Sequence, residues 1–332
     1  MRRILLFGVV AAVLVAGCGG ASGGDSGSDE SGADGEVQVA TTISVLGDMV
    51  EEVGGDRVEV FNLVPPGTDV HTFQPRPSDA RRISEAEVVF QNGLGLEDWL
   101  EDLLESAGNE GPGVVTLARG METLKGEEHG YGVEEEHARE EDEHADEEHR
   151  EEEGGHTHAE GNPHLWLDVS NAERYVEKIR DTLIEVDPEG AETYERNARA
   201  YLAELEDLDG YIRGKVRGIP EENRRLVTFH DAFPYFAEAY GFELVDVILQ
   251  NPEAEPSARE TAELVQQIEE QEVPAVFTEP QFNRGLAETI AREADVEVYE
   301  IYSDSLVDDP AADSYVEMMR TNIDRIAEGL GG

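Results

Sequence analysis

Nine histidines are spread unevenly along this chain of 332 residues. Three of them, His71, His164 and His230, stand in apolar, Pro-braced or strand-terminal surroundings, while the other six share one acidic run. His71 and His230 each come at, or a few residues after, the end of an expected parallel strand, and so does Asp304. In open α/β sheets, ligands gather at the carboxyl ends of the strands. His164 is set by Asn162-Pro163 ahead of an expected helix, in "NPHLWLDVS" at 162–170. A single such histidine is ordinarily a core or capping residue. Three of them with a carboxylate, two donors from each half of the chain, point to a metal held in a cleft, since imidazole and carboxylate are zinc's usual ligands when thiolates are absent.

The six remaining histidines are His129, His137, His144, His149, His156 and His158. Their spacings of 8, 7, 5, 7 and 2 build no single rigid shell. They suit weak, exchangeable capture on a mobile insertion at 122–161, which has no apolar period. Residues 122–160 hold seventeen Asp/Glu against three Lys/Arg, a net of −14, so −37 of the total charge of −51 lies elsewhere. Such acidity excludes nucleic acid as a partner, because that needs a basic footprint. It is compatible with a cationic ligand and with a heavily hydrated, salt-adapted surface.

The elements that would position these donors follow from periodicity. Strands are expected at 37–45, 58–63, 88–91 and 114–117, alternating with helices at 46–54, at 78–85 (with Ser78 and Asp79 as cap candidates) and at 96–106. Alternation of this kind predicts parallel β units. Tyr194, Ala198, Tyr201, Leu202, Leu205, Leu208, Ile212 and Val216 then fall at spacings of 3 and 4 along one face. They predict one helix of about thirty residues, ~45 Å long, with two helices broken at Gly210 as the alternative. After it the βα pattern resumes, with strands at 226–229, 243–249, 275–278 and 296–301 and helices at 232–240, 256–271, 286–294 and 314–326. The expected fold is α/β: two lobes of parallel sheet flanked by helices, joined by one long backbone helix, with the metal site between them. The lobes are expected at 37–187 and 219–332, and the linking helix at 188–218.

The first residues read as an address. Met1-Arg2-Arg3 precedes an apolar stretch at 4–16 that is too short to span a bilayer comfortably. It ends in Val15-Ala16-Gly17-Cys18, similar to a bacterial lipobox. The expectation is a signal peptide at 1–17, a lipid on Cys18, and a Gly/Ser tether at 18–36 that leaves the protein on the outer face of the membrane. Cys18 is the only cysteine, so no intrachain disulfide is available.

Several segments together resemble the cluster A-I metal-binding lipoproteins, the solute-binding subunits of bacterial zinc and manganese ABC transporters. "LVPPGTDVHTFQPRPSD" resembles that family's first ligand loop, "NPHLWLD" the second and "VTFHDAFPYFAEAYG" the third. "QNPEAEPSARE" and "SDSLVDDPAADSYVEMMRTNI" resemble the segments around the fourth. The resemblance implies His71, His164, His230 and Asp304 as ligands, with Asp69 or water as alternatives at the fourth position. It also implies a membrane permease as partner, a monomer, and the two-lobed fold with its backbone helix. Val70 and Val169 replace prolines frequent in the family, which relaxes the backbone locally without removing a donor. Manganese-type relatives tend to have a carboxylate where this chain has His230, so Zn²⁺ is the expected cargo and Mn²⁺ the alternative. A zinc hydrolase would need an open coordination position and a general base; there is no HExxH, and four protein ligands leave little room for substrate. An adhesin role is known for related lipoproteins, and nothing in this sequence requires it.

Overall fold

The computed structural model describes residues 36–108, 113–124, 161–249 and 256–331. The expected signal peptide, tether, Cys18 and the six clustered histidines lie outside the described residues.

Four strands, β1 (Val37–Thr41), β2 (Val58–Asn62), β3 (Val88–Gln91) and β4 (Gly113–Thr116), form one parallel sheet in the order β2-β1-β3-β4. The central strand β1 pairs Val39 with Val60 on one side and with Val88 on the other. Of its five residues only Gln38 escapes burial, as expected of a parallel strand covered on both faces. Helix α1 (Ser44–Gly54) buries Val45, Leu46, Met49, Val50 and Val53. It passes so close to β2 that a Cβ on Gly47 would lie 2.2 Å from Asn62 Oδ1. Helices α2 (Pro77–Glu85) and α3 (Trp99–Ala107) complete this lobe.

Several starts differ from the expectation: β1 ends at Thr41 and α1 already opens at Ser44, inside the stretch expected as strand. Helix α2 is capped at Arg76, not at Ser78 or Asp79; Asp79 sits at the third helical position, and its Oδ2 accepts from Arg76 N at 2.7 Å. Helix α3 begins at Trp99, not Leu96. The preceding turn has positive φ at Gly93, Leu94 and Gly95, and the buried Glu97 carboxylate holds it by accepting from Asn92 N (2.8 Å), Gly93 N (2.9 Å) and Thr42 Oγ1 (2.7 Å).

Helix α4 (Val169–Val186) leads through a 3₁₀ turn at Pro188–Gly190 into α5 (Ala191–Val216). The turn takes up the first residues of the expected linking helix, so α5 has 26 residues, about 39 Å at 1.5 Å per residue. It is unbroken at Gly210, which is exposed and has open space around it. Its buried face is Tyr194, Ala198, Tyr201, Leu205, Leu208, Ile212 and Val216. That stripe packs on α1 and α4 and on the last helix, α9 (Tyr315–Leu330).

The second lobe holds two parallel strand pairs, β5 (Arg225–Thr228) with β6 (Glu243–Val247), and β7 (Ala275–Thr278) with β8 (Glu297–Glu300). β5 lies beside β7. Helices α6 (Pro234–Tyr240), α7 (Ala258–Glu270) and α8 (Arg284–Glu293) flank them. The main hydrophobic cluster is continuous from Val39 through Tyr175 and Leu205 to Met319 and Ile323, so one interior joins the first lobe, α4, α5 and α9. Among the described residues no helix is long and apolar enough to cross a membrane.

Candidate metal centre

Each of the four expected donors is held by its own local structure. His71 rides in the loop between β2 and α2. Asp69 folds that loop back on itself, its Oδ1 accepting from His71 N (2.9 Å) and its Oδ2 from Thr72 Oγ1 (2.9 Å). Asp69 is therefore part of the loop's frame, and the carboxylate that meets the histidines is Asp304. Val70, where proline was expected, is wholly buried, and its carbonyl accepts from Trp99 Nε1 at 3.2 Å. His164 precedes a 3₁₀ turn, Leu165–Leu167, whose residues are all buried. Val169 opens α4 behind Asp168, which caps that helix by accepting from Ser170 N. Packing and capping thus replace what the two prolines would have fixed. His230 leaves the end of β5, where Thr228 Oγ1 donates to its carbonyl (2.9 Å). Asp304 leaves the end of β8. There Asn322 brackets Tyr302, accepting from its N–H (2.8 Å) and donating to its carbonyl (2.7 Å).

The four side chains converge across 233 residues of sequence. His164 Nε2 lies 3.2 Å from Asp304 Oδ1, His230 Nε2 3.3 Å from Oδ2, and His71 Nε2 3.8 Å from Oδ2. The Nε2 atoms of His164 and His230 are 3.4 Å apart. Ligand atoms 2.0–2.1 Å from a tetrahedral ion stand about 3.4 Å from one another, so these separations are those of a four-donor shell. No other such group of His, Cys, Asp or Glu occurs among the described residues.

Hydrogen bonds fix which nitrogen faces inward. Asn162 Oδ1 accepts from His164 N (3.0 Å) and pairs with His164 Nδ1 (3.0 Å), while Asn162 Nδ2 donates to Asp231 O (2.6 Å). The carbonyl oxygen can only accept, so His164 carries its proton on Nδ1 and turns a lone pair on Nε2 toward the centre. Glu279 does the same for His230, with Oε1 3.0 Å from Nδ1. Glu279 is wholly buried, and its other oxygen accepts from Ser303 Oγ and from Gln281 Nε2. The two oxygens of the buried Asp304 face the imidazole nitrogens of His164, His230 and His71 at 3.2–3.8 Å, and a buried anion ringed by such donors suits a shared cation.

Electrostatics agree. Burial lowers the His71 imidazole to about 3, although Asp304 pulls the other way, so His71 is a neutral donor. Burial opposes charge on His230, but the carboxylates of Glu279 and Asp304 override it and hold its proton well above the usual histidine range. Burial would raise Asp304; His164 and His230 more than reverse that and hold it well below the usual carboxylate range. Once an entering metal displaces the extra proton of His230, Asp304 and Glu279 would leave the site two negative charges for a divalent cation to neutralise.

Glu279 is the site residue that sequence reading missed. The signal available was position: in Thr278-Glu279-Pro280 it follows β7 at the same strand ends as the other donors.

Two α/β lobes on a long helix, with three histidines and an aspartate converging between them, define a candidate metal-binding protein. The chain belongs to the ZnuA family, described as zinc-uptake complex component A, periplasmic, whose model matches residues 39–329. It is 36% identical over 326 residues to the manganese-binding lipoprotein MntA of Halalkalibacterium halodurans, covering 97% of this chain and 96% of that one. It is 31% identical over 307 residues to the metal ABC transporter substrate-binding lipoprotein FimA of Streptococcus parasanguinis, covering 90% and 91%. Its fold is similar to the periplasmic zinc binding protein TroA from Treponema pallidum, with a TM-score of 0.73 at 27% identity over 90% of this chain and 100% of that one. The chain is accordingly a substrate-binding component of a metal ABC transporter and not an enzyme.

Proposed function

We propose that this protein captures Zn²⁺ outside the cytoplasm, holds it with His71, His164, His230 and Asp304, and delivers it to the permease of an ABC transporter. The observation that carries the choice of zinc is the donor set: three imidazoles and one carboxylate at tetrahedral spacing. Zn²⁺ is satisfied by four such donors, whereas Mn²⁺ favours six, mostly oxygen. Burial of His164, His230 and Asp304, with His71 only partly exposed, strips the ion of water, and the negative charges of Asp304 and Glu279 make the capture of a dication favourable. Delivery requires the His71 loop and the Asp304 loop to part.

The second reading, Mn²⁺ as cargo, is favoured by the likeness to MntA. Metal analysis of protein purified without added metal, followed by competition titration of Zn²⁺ against Mn²⁺, separates the two. Zinc at one equivalent, and preferred by orders of magnitude, is the expected outcome; retained manganese that zinc fails to displace would overturn it.

In the same reading residues 1–17 are a signal peptide, Cys18 carries the lipid anchor after a cleavage before it, and 18–36 is the tether. The insertion at 122–161 is an accessory, weaker capture segment through its six histidines. The lobes at 37–187 and 219–332 work as one monomer about the linking helix at 188–218. Mass spectrometry of membrane-extracted protein tests the anchor, and Cys18→Ser is expected to release the chain from the membrane fraction.

A further inference from the structure

Two hydroxyls meet at the boundary between the lobes. Ser44 is the first residue of α1, Ser305 directly follows Asp304, and their Oγ atoms are 3.4 Å apart. The backbone N–H of Gly67, in the loop that carries His71, donates to Ser305 Oγ at 2.6 Å. The backbone N–H of Leu306 donates to Ser44 Oγ at 2.8 Å, and Ser305 Oγ donates to Leu306 O at 2.9 Å. Both serines are only 5% exposed. One helical turn further along the same face of α1, Asp48 Oδ2 accepts from Tyr315 N (3.0 Å), at the start of α9, and from Tyr201 OH (3.4 Å) on α5.

We propose that Ser305, with Ser44 opposite it, is an interlobe clasp that ties the Asp304 loop to the His71 loop and sets how slowly the metal leaves. Ser305 is a positioning residue: it does not touch the ion, but it is bonded to the segment on which one ligand sits and accepts from the segment that carries another. The Gly67 N–H finds Ser305 only when the His71 and Asp304 loops are together, and the Leu306 N–H finds Ser44 only when the Asp304 loop lies against α1. Metal and clasp therefore favour the same closed arrangement, and each stabilises the other by the same amount. An incoming ion meets the site before closure is complete, whereas a departing ion must first break the clasp. Loss of the clasp should fall on the dissociation rate. Gly67 suits the junction because its φ of +74° is open to glycine at little cost.

This inference rests on the metal site proposed above, and the experiment keeps the two apart. Full-length wild type, Ser305→Ala, Ser305→Thr and Ser44→Ala are loaded with Zn²⁺ and washed briefly with a weak chelator to strip loosely held ions. They are then chased with excess strong chelator, and association is followed by stopped flow. Ser305→Ala should dissociate zinc about three- to tenfold faster, with association unchanged and the melting temperature of the metal-free protein unmoved. Ser305→Thr, which retains the hydroxyl, should restore slow release. Ser44→Ala should act in the same direction, and it carries the test if Ser305→Ala does not fold. Wild-type dissociation in Ser305→Ala or in a folded Ser44→Ala would overturn the clasp while leaving the site intact. So would equal loss of stability in the metal-free and metal-bound forms, which marks a merely structural role. A wild type with no slow zinc phase would defeat the site itself.

Discussion

Glu279 and His230 form a buried pair, Oε1 3.0 Å from Nδ1, with neither residue more than 2% exposed. In the proposed site the pair would give His230 the push of a carboxylate without placing a second oxygen in the shell, adding charge for a dication while leaving nitrogen as the donor. Replacing Glu279 by Gln keeps the shape and removes the charge. Metal affinity should fall about 10- to 100-fold, the usual cost of losing such an outer partner, as read by chelator competition. An unchanged affinity would show that Glu279 is a packing residue only.

The same pair sets the pH dependence. Before metal binds, Glu279 and Asp304 hold a proton on His230 well above the ordinary histidine range. Metal and that proton compete for Nε2. Below the raised His230 value each unit fall in pH costs about tenfold in affinity for one displaced proton; above it the dependence levels off. His71, held neutral down to about 3, adds little across this window. Calorimetry in buffers of different ionisation enthalpy should show about one proton released per zinc near neutral pH. Release of none would mean that His230 is already neutral.

Choice of metal is expected to turn on His230. His230→Glu replaces an imidazole by an oxygen donor and puts a second carboxylate beside Glu279. Zinc should weaken more than manganese, narrowing the gap between them, although the intrinsic affinity order still favours zinc. Parallel competition titrations of wild type and variant measure the ratio; no change in it would remove His230 from the shell.

Deleting residues 125–160 should leave the tight site intact. The flanking segments already close on each other, with Asn162 N donating to Leu124 O at 2.8 Å. Tyr235 OH bridges the same two, accepting from Leu124 N (3.0 Å) and donating to Asn162 O (2.8 Å). Equilibrium dialysis should find one tight zinc per chain and loss of the weaker ones. Disappearance of the tight site would move the principal ligands into the deleted segment.

Much of this architecture is written in local patterns. The stripe from Tyr194 to Val216 fixes α5 because a helix buries every third or fourth residue whatever lies on the other side. His71, His230 and Asp304 could be singled out because each follows a β-rich run, and strand ends are where an α/β fold gathers its ligands. Their resemblance to known ligand loops is equally local. Tertiary structure decided what local patterns leave open. Ser78 and Asp79 read as caps, yet Pro77 already occupies the first turn. Leu96 reads as helical, yet the turn before it is held by the buried Glu97. Asp69 and Asp304 are equally plausible carboxylates by type; one is spent on its own loop, and only the other reaches the three imidazoles. Glu279 carries no motif at all, because its importance is a distance to a histidine 49 residues earlier in the chain. Periodicity and capping act over a few residues and survive in the sequence. Coordination and burial of charge depend on separations of about 3 Å between groups that the chain brings together only when both lobes have packed on α5.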